Sequence, residues 1–216
     1  MRNNHKTKTK TKTKTKMKKI LLVAGIVLLS LTANAQEKSK GLQGVWWVAG
    51  QVSFDTSETG DAKTNSSLIL PIVGTFISPD VTIGLGIGNI NSNTKLGSVT
   101  TSESNTFVIK PLVRKYWNIK GGLFFYGQAA LPITSTNIKN SDDKASSVAL
   151  SVAPGFDYVI NKWLTIETSF EVLNIGSTSS TEAGVETTTF GFNANPMNSV
   201  ADRNLGALQI GVKFLF

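Results

Sequence analysis

From Leu208 to Phe216 every second residue is large and apolar: Leu208, Ile210, Val212, Phe214 and Phe216. The intervening set contains Gln209, Gly211 and Lys213. A period of two is the mark of a strand with one oily and one polar face. Such a face must be covered, either by a protein core or by lipid. This requirement constrains the fold more than any other feature of the chain.

Seven further runs alternate in the same way, giving strands expected at 43–54, 67–77, 81–90, 106–117, 122–133, 147–158, 163–173 and 205–216. No stretch after Ala35 approaches the roughly 18 apolar residues of a membrane helix. The connections alternate in length. Polar stretches at 55–66, 91–105, 134–146 and 174–204 follow the odd strands. Tight turns follow the second, fourth and sixth, at Ser78-Pro79-Asp80, Asn118-Ile119-Lys120-Gly121 and Val159-Ile160-Asn161-Lys162. A sandwich has no reason to gather every long connection at one end, whereas an up-and-down transmembrane barrel requires it. The expected fold is all-β: an eight-stranded antiparallel up-and-down β-barrel in the outer membrane of a Gram-negative bacterium.

The formal charge of +8 is misleading. Nine of the 22 basic residues precede Gln36, where there is no acid, and 13 basic against 14 acidic residues remain. No basic surface for nucleic acid is therefore expected. Lys18-Lys19, the apolar run Ile20–Leu31 and Ala33-Asn34-Ala35 form the three parts of a secretory signal, with cleavage expected after Ala35. Residues 1–35 are thus assigned to the signal peptide and 36–216 to the barrel. The Lys-Thr repeat over 6–16 reads as an extension of the signal, with Met17 the expected translation start. There is no cysteine, hence no disulfide and no lipid-anchoring thiol.

Alternate residues give a lipid face that includes Trp46, Val48, Val52 and Phe54. It continues through Leu68, Leu70, Ile72 and Phe76, then Val81, Ile83, Leu85 and Ile87, then Phe107, Ile109, Val113 and Trp117. Later strands add Leu123, Phe125, Leu131, Val148, Leu150, Val152, Phe156 and Tyr158. Leu164, Ile166, Phe170, Val172 and the C-terminal set complete it. The opposite face carries Lys110, Arg114, Asp157, Glu167, Glu171 and Lys213, three charges of each sign. Eight-stranded barrels have interiors that side chains fill, and charges sealed there need partners. Counting from the periplasmic turns puts Arg114 level with Glu167 and Lys110 level with Glu171, roughly 10 Å higher. Lys213 is expected beside Glu167, and Asp157 near the periplasmic mouth. The lumen is expected to be a packed polar plug.

The run Phe107-Val108-Ile109-Lys110-Pro111-Leu112-Val113-Arg114-Lys115-Tyr116-Trp117, followed by Leu123-Phe124-Phe125-Tyr126-Gly127, resembles the small outer-membrane β-barrel domain family of the OmpX and OmpA-barrel type. Pro154-Gly155-Phe156-Asp157-Tyr158 before Trp163-Leu164-Thr165-Ile166-Glu167, and the closing aromatic, strengthen the likeness, which covers the mature chain. The resemblance implies that Phe216, with Phe214, belongs to the signal read by the barrel-assembly machinery. Roles within that family range from structural barrels to adhesins.

Enzymatic barrels generally rely on a histidine base. The sequence has one histidine, His5, upstream of the expected cleavage site. Asp142-Asp143 sits in a polar stretch and reads as solvated surface. Gly84-Leu85-Gly86-Ile87-Gly88 lies within a strand, where glycine relieves lumen crowding. No catalytic residue, metal site or cofactor is expected. The expected role is non-enzymatic, in envelope integrity or adhesion-like surface interaction. The alternatives are a small-solute pore or a soluble periplasmic ligand-binding barrel. Expected partners are outer-membrane lipid, the assembly machinery and an extracellular ligand met through 55–66, 91–105, 134–146 and 174–204. The chain is expected to act as a monomer.

Overall fold

The computed structural model describes residues 41–194 and 208–216. The expected signal segment and residues 195–207 lie outside the described residues. Eleven strands form one antiparallel sheet: β1 (Trp46–Thr59), β2 (Ala62–Phe76), β3 (Val81–Leu96), β4 (Val99–Lys120), β5 (Leu123–Ala130), β6 (Ile133–Ile138), β7 (Lys144–Asn161), β8 (Leu164–Phe170), β9 (Leu173–Glu182), β10 (Val185–Asn193) and β11 (Leu208–Leu215). They occupy eight positions around a closed barrel. β5 and β6 both pair with β4 and β7 and form one stave, interrupted at Leu131-Pro132. Proline has no N–H for the ladder, which suits it to such a break. β8 and β9 share a second stave, interrupted at Glu171-Val172, while β10 and β11 lie beside them in the eighth position. β1 closes the ring on β11 through Trp47↔Leu215, Val48↔Phe214 and Ala49↔Lys213. Backbone bonds between Trp46 and Phe216 in both directions complete the seam.

The long polar connections are not loops. β1 and β2 stay paired from Trp46↔Thr75 to Thr59↔Ala62, turning at Gly60-Asp61. β3 and β4 continue to Leu96↔Val99, and β9–β10 to Glu182↔Val185. The stretches 55–66, 91–105 and 174–193 are therefore paired arms rising above the membrane, as is most of 134–146. Residues polar on both faces leave little alternation, so these strands carried only a weak sequence signal.

The outer face is apolar over a band that begins at Trp46, Trp117 and Trp163 and ends at Phe54 and Phe107, all exposed. From Trp117 to Phe107, at about 3.3 Å per residue with a tilt near 40°, the band is roughly 25 Å tall, the height expected for a transmembrane barrel. Trp117, Phe125 and Phe156 lie side by side on β4, β5 and β7, with ring centroids 5.6 Å apart in each contact, and Trp163 stacks on Phe214 at 6.0 Å. Aromatic rings at the edge of an apolar band favour the membrane interface.

One strand is turned the other way from its expected orientation. Leu70, Ile72 and Phe76 were assigned to lipid, but they are buried inside, Ile72 at 2% exposure. Ile69, 59% exposed, and Val73 face outward instead. The segment Leu68-Ile69-Leu70-Pro71-Ile72-Val73 is apolar on both faces, so alternation alone left its phase undetermined. Val81, Val113 and Val148, also assigned to lipid, are covered.

Candidate functional site: an ionic and aromatic plug

Arg114 lies on the inward row of β4, with Val108, Lys110, Leu112 and Tyr116. Its guanidinium donates to both carboxylate oxygens of Glu167, Nη1 to Oε2 at 2.6 Å and Nη2 to Oε1 at 3.1 Å. Its Nε donates to Gln128 Oε1 at 2.7 Å. β4 and β8 are not neighbours, so this bidentate pair spans the lumen. Lys213 on β11 forms an ion pair with Asp157, donates to Tyr116 Oη at 3.1 Å, and lies 3.6 Å from Glu167 Oε2. Two cations and two carboxylates thus share one closed cluster, with Arg114 and Lys213 at 2% and 1% exposure.

Aromatic rings enclose the cluster. The Arg114 guanidinium lies 5.3 Å from the Trp47 ring and 4.8 Å from that of Tyr126, while the Lys213 ammonium lies 5.1 Å from Tyr116. A cation over a ring face is attracted by the ring quadrupole, more strongly where water is excluded. Three glycines make room for these rings. A Cβ at Gly74 would come within 2.3 Å of the Trp47 indole, and one at the paired Gly84 within 2.9 Å. Gly155 lies opposite Tyr126, where a Cβ would stand 2.5 Å from the phenol. The indole is pinned by its Nε1 donating to Thr82 Oγ1 at 2.6 Å.

Apolar layers lie on both sides. Towards the periplasm, Phe76, Leu215 and Phe124 join Tyr116, with Leu42 and Val45 packed against them from the turn that precedes β1. Towards the outside, Leu70, Ile72, Val108, Leu112 and Ala130 fill the section. The interior is thus a charged layer between oily ones, not the uniformly polar plug the alternation suggested. Nearer the extracellular end, a cavity of about 540 Å³ is lined by Thr134, Ser147, Glu171, Asn174 and Gly176 among others.

Of the six charged residues singled out from the sequence, Arg114, Glu167, Lys213 and Asp157 are in the cluster. The other two are not joined to each other by a described hydrogen bond or ion pair. Lys110 donates to Gln51 Oε1 at 3.2 Å, whereas Glu171 is exposed at the stave break and accepts from Asn174 at 3.0 Å. Glu171 lies in the break between β8 and β9, not within the continuous strand expected over 163–173. Phe214 faces outward on Trp163, and Phe216 closes the seam. Ala33 and Ala35 lie outside the described residues. Sequence reasoning missed Trp47, Tyr116, Tyr126 and Thr82. The aromatic doublets Trp46-Trp47 and Tyr116-Trp117 held the available signal, since consecutive strand residues face opposite sides and one ring of each doublet must enter the lumen.

Among the described residues there is no group of three or more His, Cys, Asp or Glu able to hold a metal.

Solved structures similar to the chain include the outer membrane protein OprG of Pseudomonas aeruginosa, 14% identical over 83% of this chain and 99% of that one, with a TM-score of 0.46. The N-terminal β-barrel domain of OprF from the same organism is 14% identical, covering 81% and 98%, with a TM-score of 0.44. Neisserial surface protein A is 16% identical, covering 80% and 96%, with a TM-score of 0.41. No curated protein sequence matches. The model of the outer membrane protein beta-barrel domain matches residues 22–195. With that match added to a closed barrel that carries a lipid-facing band, the chain belongs to the outer membrane protein β-barrel domain family.

Proposed function

We propose that this protein is a non-enzymatic outer-membrane barrel with a closed lumen, acting through its outer and extracellular surfaces in envelope integrity or surface interaction. The observation that carries this reading is the cluster of Arg114, Glu167, Lys213 and Asp157 between two apolar layers. A solute passing through would have to separate Arg114 from Glu167 inside a dry section, leaving charge uncompensated. The absence of histidine and cysteine after Ala35 supports a non-enzymatic role. In the same reading the chain is exported with cleavage after Ala35, is inserted by the barrel-assembly machinery through Phe214 and Phe216, and works as a monomer.

Planar-bilayer recording tests the closed lumen. The purified barrel is expected to show no unitary conductance. The cavity of about 540 Å³ favours a second reading, a solute entry vestibule. Steady conductance from the unaltered protein would favour that reading and end the first.

A further inference from the structure

The paired arms differ on their two faces. Inside, hydroxyls bridge neighbouring strands: Thr64 with Thr94 at 3.0 Å, Ser66 with Ser92 at 3.0 Å, and Thr106 with Thr136 at 2.7 Å. Outside, immediately above the lipid band, stand amides. Phe54, the last outward aromatic of β1, pairs with Ser67, which pairs with Asn91, then Asn105, then Asn137 on β6. The next row up runs Thr56, Asn65, Asn93 and Glu103. Asn105 and Asn137 continue the outward rows of Phe107 and Ile133, both exposed, so the patch faces away from the barrel axis.

This patch holds a groove of about 340 Å³, with Phe54 at its lower edge and Asn65, Asn91, Asn93 and Glu103 along its wall. Asn105 Nδ2 donates to Asn91 Oδ1 at 2.6 Å, and Thr56 donates to Asn65 Oδ1 at 3.0 Å. Asn93 Oδ1 is shielded from solvent and accepts no described hydrogen bond. An acceptor left in that state has lost its water without replacement, which costs free energy until a donor arrives. Lys139 forms an ion pair with Glu103 and Lys63 with Glu58, while Lys95, opposite Lys63, is exposed above the patch.

We propose that this patch is a docking site for the saccharide headgroup of an outer-leaflet glycolipid. A lipid whose chains cover Ile69, Ile87 and Phe107 carries its headgroup at the height of the two polar rows. Amides both donate and accept, matching sugar hydroxyls, which do the same. The groove itself is lined by Asp55 and Glu103 and, among the described residues, by no cation, so it suits neutral sugar better than phosphate. The inference rests on the membrane placement of the barrel but not on its closed lumen.

The test is refolding into phosphatidylcholine vesicles with or without lipopolysaccharide, followed by urea unfolding. Lipopolysaccharide is expected to raise the midpoint of the unaltered protein. Asn91→Leu, Asn93→Leu and Asn105→Leu together are expected to abolish the shift, and Thr106→Val with Thr136→Val, inside at about the same height, to leave it intact. Heat-modifiable gel mobility establishes that each variant folds, and Asn93→Ala alone serves if the triple variant does not. A shift retained by the folded amide variant, or no shift in the unaltered protein, overturns the proposal. So does an equal shift with phosphatidylglycerol, which would be a charge effect, or with soluble core oligosaccharide, which would be a free sugar site. Conductance, measured separately, bears on the closed lumen alone.

Discussion

The two walls of the lumen are built on different physics. On β1, β2 and β3 the inward row is Trp47, Ala49, Leu70, Ile72 and Phe76 against glycines, with Thr82 holding the indole. On β7, β8 and β11 it is Ser151, Asp157, Thr165, Glu167, Ser169 and Lys213. The first wall is held by shape, where any lost volume leaves a void. The second is held by charge balance, where the loss of one member strands another. Arg114 joins the two, reaching from β4 beneath the Trp47 ring to Glu167.

The sharpest way to break this contrast is Glu167→Gln. It deprives Arg114 and Lys213 of a shared carboxylate, and unfolding in lipid vesicles is expected to show a loss of about 3–5 kcal/mol. A change near zero would mean that the charged wall is held by packing, like the other. Ile72→Ala on the apolar wall is expected to cost about 2–5 kcal/mol through a cavity. Ile69→Ala, its outward neighbour, should cost less because lipid chains fill the space; equal losses would turn β2 round.

Consecutive residues of β11 make a finer comparison. Arg at Val212, on the lipid face and paired with Ile166, is expected to cost about 2–4 kcal/mol. Folding with unchanged stability would place that residue away from lipid. The smallest effect lies at the periplasmic turn. Burial pushes the Asp80 carboxyl up, but hydrogen bonds from the Lys115 ammonium and the Ser78 hydroxyl outweigh it and hold the group below the ordinary aspartate range. A lowered folded pKa adds stability above the unfolded value and loses it as pH falls below about 4. The pair is partly exposed, so Lys115→Met should change stability by less than about 1 kcal/mol at neutral pH, with the difference vanishing in acid.

The charged wall was more legible in the sequence than the apolar one. A charge within an alternating strand has one tolerable side, so Arg114, Glu167 and Lys213 declared their phase. Ile72 did not, because Ile69 and Val73 were equally eligible for either face. The arms were faint for the opposite reason, polarity on both faces, which made residues 91–105 read as a loop. The stave breaks at Leu131-Pro132 and Glu171-Val172 were also unread. The cage of Trp47, Tyr116 and Tyr126 depends on contacts between strands far apart in the chain, which no local pattern encodes.

The span of the cluster along the chain has a consequence for biogenesis. Lys213 stands 56 residues after Asp157 and 97 after Tyr116, on the strand that closes the ring against β1. Until β11 is seated, Asp157 lacks its ammonium partner and Glu167 one of its two cations. Without β11 the cluster would hold two carboxylates against the single cation Arg114. Arrival of the C-terminal strand neutralises that charge in the same event that closes the wall. Assembly of the charged interior is thereby coupled to closure of the wall.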